Sequence, residues 1–210
     1  MKQPQSSMKN TFPNKIGCII MASGLSKRFG RNKLFAEYDG KIFLERILEA
    51  TENAGFAGRV VVTRTAEAAE FCQEQIEKGS LNNTHVILHD LPGRNDAVKL
   101  GIETLADMDG WMFCPCDQPM LSAESVETMT DVFCSEGSSE SIYRLAWKEN
   151  VGMPVIFGKG YFDELTHLPE KKGGGYVIEA HKDKVRLVQA KDELELFDVD
   201  TEEDYRRISL

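Results

Sequence analysis

Residues Ile16–Ala22 form an unbroken apolar run, and the chain turns at once into Ser23-Gly24-Leu25-Ser26-Lys27-Arg28-Phe29-Gly30-Arg31-Asn32-Lys33-Leu34. A short run with no polar alternation is the pattern of a strand buried on both faces of a parallel sheet. Such a strand needs helices on both sides, so this run alone points to a three-layer α/β/α domain. The loop after it is equally restrictive. Small residues at Ala22, Ser23 and Gly24 let the backbone turn sharply and approach a ligand closely. Lys27, Arg28, Arg31 and Lys33 then fall within seven residues.

The rest of the chain agrees with that architecture. Apolar residues at Leu44, Ile47 and Leu48 give a helical stripe, and Arg59–Thr63 reads as a second strand followed by a helix over Ala66–Lys78. Val86–Leu88 and Trp111–Cys114 supply further strands, with a helix through Val98, Ile102 and Leu105 between them. Ser122 caps a helix carrying Val126, Met129 and Phe133. Beyond Gly137 the pattern changes: Ile142–Trp147 and Val151–Phe157 are consecutive strands, so the C-terminal part reads as antiparallel. Val185–Val188 and Leu196–Val199 are expected as short strands, and Thr201 as the cap of a last helix. Residues 1–14 are polar and aperiodic and read as a disordered leader, leaving residues 15–210 as a single domain.

Composition excludes several classes. With 25 basic against 34 acidic residues the chain is too acidic for a general nucleic-acid binder. No apolar run approaches the roughly 20 residues of a membrane span, so no membrane partner is expected. Five irregularly spaced cysteines suit free thiols in a reduced, cytoplasmic chain, and Cys114-Pro115-Cys116 has no metal-ligand spacing. The four histidines share no spacing and supply no catalytic candidate. Phe12, Phe29, Phe35, Phe43 and Phe56 read as core residues.

From spacing alone the loop after the first strand is either a solvated basic turn or a polyphosphate cradle of backbone N–H groups and cations. Two rival motifs fail: Gly30 is followed by Arg31 where a P-loop requires Lys-Ser/Thr, and G-x-G-x-x-G is absent. Asp117, expected where the Trp111 strand ends, reads as a turn former or as a Mg²⁺ ligand. Asp198 and Asp200 would share one face of the last strand. Arg94 and Asn95 open the third helix, where Asn95 or Asp96 can cap it.

The loop resembles the signature of the MobA-like nucleotidyltransferases, L-A-A-G-x-S-x-R-M-G-x-x-K-L, through Ala22, Gly24, Ser26, Arg28, Gly30, Lys33 and Leu34. Ser23 and Phe29 depart from it. Pro115-Cys116-Asp117-Gln118-Pro119 resembles the D-Q-P element of the molybdenum cofactor cytidylyltransferase branch. Phe197–Asp204 is similar to its D-I-D-T-P-E-D, and Gly152-Met153-Pro154 to its G-H-P, with Met for His.

The resemblance implies a Rossmann-like, GT-A-like nucleotidyltransferase fold. It implies a Mg²⁺-dependent transfer of CMP from CTP to molybdopterin with release of pyrophosphate. GTP as donor, or a sugar or polyol phosphate as acceptor, remains open. So does a non-catalytic carrier delivering cofactor to a molybdenum hydroxylase. On this reading Arg28, Lys33 and Asp117 are catalytic, and Ala22, Ser23, Gly24, Ser26, Arg94 and Asn95 complete the nucleotide site. Metal ligands come from Asp117, Asp198 and Asp200. Lys33 is expected as an exposed loop cation. Lys171, Lys172, Gly173 and Gly174 open a helix reaching His181 and offer N–H groups and cations to the acceptor's phosphate. The same residues can equally form a plain surface turn.

Overall fold

The computed structural model describes residues 14–209. Residues 1–13 of the expected leader, Phe12 among them, lie outside the described residues, as do the last residue and the Arg94 side chain. Asn14, expected as the end of that leader, is instead tied to the domain, its Nδ2 donating to the Phe133 and Gly137 carbonyls at 3.1 and 3.2 Å. Along the chain run β1 (Ile16–Ala22), a short ribbon of β2 (Glu37–Tyr38) and β3 (Lys41–Ile42), α1 (Phe43–Glu52), β4 (Gly58–Thr63), α2 (Ala66–Glu77) and β5 (Thr84–Leu88). Then follow α3 (Arg94–Thr104), β6 (Gly110–Pro115), α4 (Ala123–Glu136), β7 (Ile142–Trp147), β8 (Asn150–Gly158), α5 (Phe162–Thr166), α6 (Gly175–Ala180), β9 (Val185–Gln189) and α7 (Glu202–Ile208).

One seven-stranded sheet has the order β5-β4-β1-β6-β8-β7-β9. β1 pairs in parallel with both β4 and β6, and β4 in parallel with β5. β8 runs antiparallel to its neighbours β6 and β7, while β7 and β9 are parallel. The C-terminal antiparallel character therefore resides in one strand, β8, inserted into an otherwise parallel sheet.

Alternation along the strands sends side chains to two cores. Cys18, Ile20, Val61, Met112 and Cys114 pack with Leu44, Leu48, Ala68, Met129 and Phe133 under α1, α2 and α4. Ile19, Val60, Val62, Phe113 and Val155 pack with Val98, Ile102, Leu165 and Val177 under α3, α5 and α6. A sheet covered on both faces is what the apolar β1 run requires. Phe29 and Phe43 are buried with Val199 beneath α7, and Phe35 and Phe56 pack at the edge of the first core, so these four aromatics are core residues as expected.

Two details depart from the sequence reading. Leu196–Val199 is no strand. Residues Glu193–Leu196 form a single 3₁₀ turn, and Asp198–Asp200 continues as irregular chain, tied to the β6 side by the Val199 N–H donating to the Asp117 carbonyl at 2.8 Å. The turn forms because Asp192 and the buried Glu195 cap it reciprocally, a local device that outcompetes strand pairing. β2–β3, by contrast, was not foreseen. It is a two-residue ribbon around Asp39-Gly40, both at positive φ, which is a hairpin turn's chemistry.

Candidate active site

β1 has β4 on one side and β6 on the other, so the sheet order reverses there and a crevice opens beyond the carboxyl ends of these strands. A cleft of about 790 Å³ occupies this position. Its walls carry the loop residues Ser23, Gly24, Ser26, Lys27 and Arg28, together with Asp117, Asp198 and Asp200.

The loop holds its shape through its own atoms. The Ser26 carbonyl accepts from the N–H groups of Phe29 and Gly30 at 3.0 and 3.2 Å, and Ser26 Oγ accepts from the Lys33 N–H at 3.1 Å. Gly30 takes φ +80°, a conformation open to glycine at little cost. Ser23 Oγ donates to the Val62 carbonyl at 2.8 Å and therefore must accept from His89 Nε2 at 3.1 Å, which fixes the histidine tautomer. The serine that departs from the family pattern thus ties the loop to β4 and to the residue after β5. Burial and the nearby Arg64 charge lower the His89 pKa.

Lys33 corrects the expectation of an exposed loop cation. It opens a 3₁₀ turn capped by Asn32, is 8% exposed, and turns inward. Its Nζ donates to Asp117 Oδ2 at 2.8 Å, to Asp200 Oδ1 at 3.1 Å and to the Val199 carbonyl at 3.3 Å. Burial works to lower its pKa, but the Asp117 and Asp200 carboxylates outweigh burial and hold the ammonium above the ordinary lysine value. Asp200 also accepts from Arg28 Nη2 at 2.8 Å. Burial would raise its pKa, yet Lys33 and Arg28 pull it below the usual carboxylate range.

Asp117 lies two residues past β6, in the turn that Pro119 closes, rather than within the strand. Asp198 does not share a strand face with Asp200. Its Oδ1 accepts from Gln118 Nε2 at 2.9 Å, and burial, together with the Asp117 charge, raises its pKa against that hydrogen bond.

Three carboxylates and one ammonium therefore meet at the head of the cleft. Among the described residues no three acidic, histidine or cysteine side chains stand ready to hold a metal by themselves. The donor set nonetheless fits a hard divalent cation. Mg²⁺ commonly takes one or two carboxylates and completes its shell with phosphate and water, and the mutual repulsion felt at Asp198 would be relieved by it.

The remaining expected site residues divide. Ala22 is buried at the end of β1, behind the loop. Asn95 is not on the cleft wall, where Pro92, Gly93 and Ala97 stand instead. Asp96 caps α3 by accepting from the Gly93 N–H at 2.7 Å. Gly173 and Gly174 line the cleft, while Lys171 and Lys172 are exposed and off its wall. The sequence reading missed Arg64 and Arg144, both on the wall. Neither belongs to a motif, and only the fold brings β7 and the residue after β4 to the cleft.

Residues 18–185 match the family described as the MobA-like NTP transferase domain. The fold is shared with solved structures. The Mycobacterium tuberculosis protein Rv0371c, in complex with manganese, is 23% identical with a TM-score of 0.74, covering 93% of this chain and 98% of that one. A Methanothermobacter nucleotidyl transferase is 21% identical at TM-score 0.74, covering 93% and 96%. The 4-diphosphocytidyl-2C-methyl-D-erythritol synthase of Anaerococcus prevotii is 17% identical at TM-score 0.71, covering 93% and 95%.

Proposed function

This chain belongs to the MobA-like NTP transferase domain family, and from that membership as a nucleotidyltransferase we propose that it transfers CMP from CTP to the phosphate of molybdopterin. The observation that carries the reading is the meeting of Lys33 with Asp117 and Asp200 directly beneath the glycine loop. A triphosphate needs such a place: backbone N–H groups, fixed cations and carboxylates able to share a divalent ion.

In the reaction an oxygen of the acceptor's phosphate attacks the α-phosphorus. A new P–O bond forms, the α–β bridging bond breaks, and its electron pair leaves with pyrophosphate. A phosphate monoester has a second pKa near 6, so the nucleophile is already ionised at neutral pH and no general base is required. That suits a cleft whose one nearby histidine is locked as a hydrogen-bond donor to Ser23. The residues' work is alignment and charge neutralisation. Arg28, on the cleft wall and largely exposed, holds the triphosphate from outside. Lys33, anchored below, stabilises charge developing on the leaving group. Ser23, Gly24 and Ser26 present the loop. A divalent cation, Mg²⁺ in this reading, would be held by Asp117 with Asp198 or Asp200 and would supply charge neutralisation between the two anionic substrates. Gly173 and Gly174, also on the cleft wall, face the acceptor.

The test is incubation with Mg²⁺, molybdopterin and each of the four NTPs in turn, measuring pyrophosphate. Release with CTP and molybdopterin together is expected. Release with GTP in place of CTP, or with polyol or sugar phosphates in place of molybdopterin, would replace the donor or the acceptor. Stoichiometric cofactor binding with no pyrophosphate would leave a carrier.

A further inference from the structure

Arg144 is a cation set into an apolar row. It stands opposite Val155 of β8, which stands opposite Phe113 of β6, and the row continues through Ile19 of β1 to Val60 of β4. Four apolar side chains on the α3/α5/α6 face are thus followed by a guanidinium, half-buried on the wall of the cleft. Its Nη2 donates to the Gly152 carbonyl at 3.2 Å. Its Nε is buried and has no hydrogen-bond partner among the described residues, and no carboxylate among them stands within ion-pair distance. Burial pushes its pKa below the ordinary arginine value. A charge taken from water without a counter-ion is costly, and that cost is offset when an anion arrives.

Its position says which anion. In the order β1-β6-β8-β7, Arg144's strand is three places from the strand that delivers the phosphate loop. At about 4.8 Å per strand that is on the order of 14 Å between the strands. A nucleotide held by the loop after β1 leaves the β8–β7 side of the cleft, walled by Phe113, Met153, Phe157 and Gly174, to the second substrate. A guanidinium offers a planar fork of N–H groups that pairs with two oxygens of a phosphate, and Arg144 reaches the cleft wall with no carboxylate among the described residues to occupy that fork.

We propose that Arg144 forms an anion subsite on the β7 side of the cleft that receives the phosphate dianion of the acceptor. This assignment rests on the nucleotidyl-transfer reading above. It would act as a specificity determinant: an acceptor lacking phosphate would leave the guanidinium unpaired.

Inorganic phosphate is the probe, titrated calorimetrically into the full chain saturated with Mg²⁺ and a non-hydrolysable CTP analogue that fills the loop. Wild type should bind phosphate. Arg144→Gln should weaken that binding at least tenfold and Arg144→Lys by less, with nucleotide affinity unchanged within twofold in both. A thermal melt of each variant shows that the fold is retained, and Arg144→Lys keeps the charge if Arg144→Gln unfolds. Unchanged phosphate affinity in the variants, or no phosphate binding by wild type, overturns the subsite. Acetate displacing phosphate at equal concentration overturns the phosphate class. A parallel fall in nucleotide affinity moves Arg144 to the donor. If wild type binds no nucleotide, the nucleotidyl-transfer reading itself fails. The titration without nucleotide then still tests Arg144: a phosphate site retained by Lys33→Ala and lost by Arg144→Gln supports it, and the same sites in all three proteins exclude it.

Discussion

Lys33 Nζ lies 2.8 Å from Asp117 Oδ2, joining two residues 84 positions apart into one partly buried ion pair at the head of the cleft. The pair is shared, since Asp200 takes a second contact from the same ammonium at 3.1 Å. One side chain therefore holds together the loop after β1, the turn after β6 and the chain before α7. On the proposed reading, a structural and a catalytic role are combined in it.

Lys33→Ala should accordingly show two effects. Turnover should fall about 10²-fold or more, because a fixed positive charge near the leaving pyrophosphate is lost. The fold should also lose roughly 1–3 kcal/mol, because two carboxylates are left facing each other with their shared donor gone. Pyrophosphate release and thermal unfolding measure the two separately. Loss of stability with near wild-type turnover would confine Lys33 to a structural role.

Arg28 makes the contrasting case. Its side chain is 70% exposed, so its contact with Asp200 contributes little to stability. Arg28→Ala should leave the melting temperature nearly unchanged and raise KM for the nucleotide several-fold. An unchanged nucleotide KM would take Arg28 out of the phosphate site.

Asp117→Asn should abolish most metal-dependent turnover, with partial recovery when Mn²⁺ replaces Mg²⁺. An amide keeps one oxygen ligand but loses the charge that a hard cation requires. If activity and its Mg²⁺ dependence survive, Asp198 and Asp200 carry the metal, and the corresponding asparagine variants will show the loss instead.

Away from the cleft, Asp109 gives a stability prediction with a sign. Its carboxylate accepts from Lys159 Nζ at 2.8 Å and from the Lys15 N–H at 3.0 Å, clasping the start of β1 to the turn after β8. The Lys159 hydrogen bond, then the backbone bond, hold its pKa below the ordinary 3.8. A lowered folded-state value means that the stabilisation is fully present above the unfolded value and is lost as pH falls through the folded one. Asp109→Asn should therefore lower the melting temperature at pH 7, and the gap to wild type should narrow progressively as the pH falls below the ordinary carboxylate value of 3.8. A gap that persists there would assign the effect to packing rather than charge.

The parts legible in the sequence are those written in local chemistry. The β1 run and the loop after it, the Ser122 and Thr201 caps and the β7–β8 pair all follow from residues within a few positions of one another. The carboxylate cluster was legible only as a set of candidates, because Asp117 and Asp200 meet through Lys33, and no spacing encodes a contact across 84 or 167 positions. The same limit hid Arg144. Its neighbours in the fold, Val155 and Phe113, are set by sheet register, which the chain states only once the strand order is known. The strand expected at Leu196–Val199 is absent because the Asp192–Glu195 capping pair winds Glu193–Leu196 into a 3₁₀ turn that takes in the segment's first residue.

Lys171 and Lys172 are the last expectation to test. They are exposed and stand off the cleft wall, while the two glycines after them are on it. Lysines in water beside an entrance act through their field rather than by contact, and a field is screened by salt over roughly 8–10 Å at ordinary ionic strength. The double variant Lys171→Ala/Lys172→Ala should raise the acceptor's KM several-fold at low salt and leave the nucleotide's KM nearly unchanged. At about 0.5 M salt the acceptor effect should disappear, which would identify steering of a phosphate dianion toward Gly173 and Gly174. An effect that persists at high salt would mean direct contact with bound acceptor. Equal effects on both substrates, or none at either ionic strength, would leave these lysines as an ordinary surface turn.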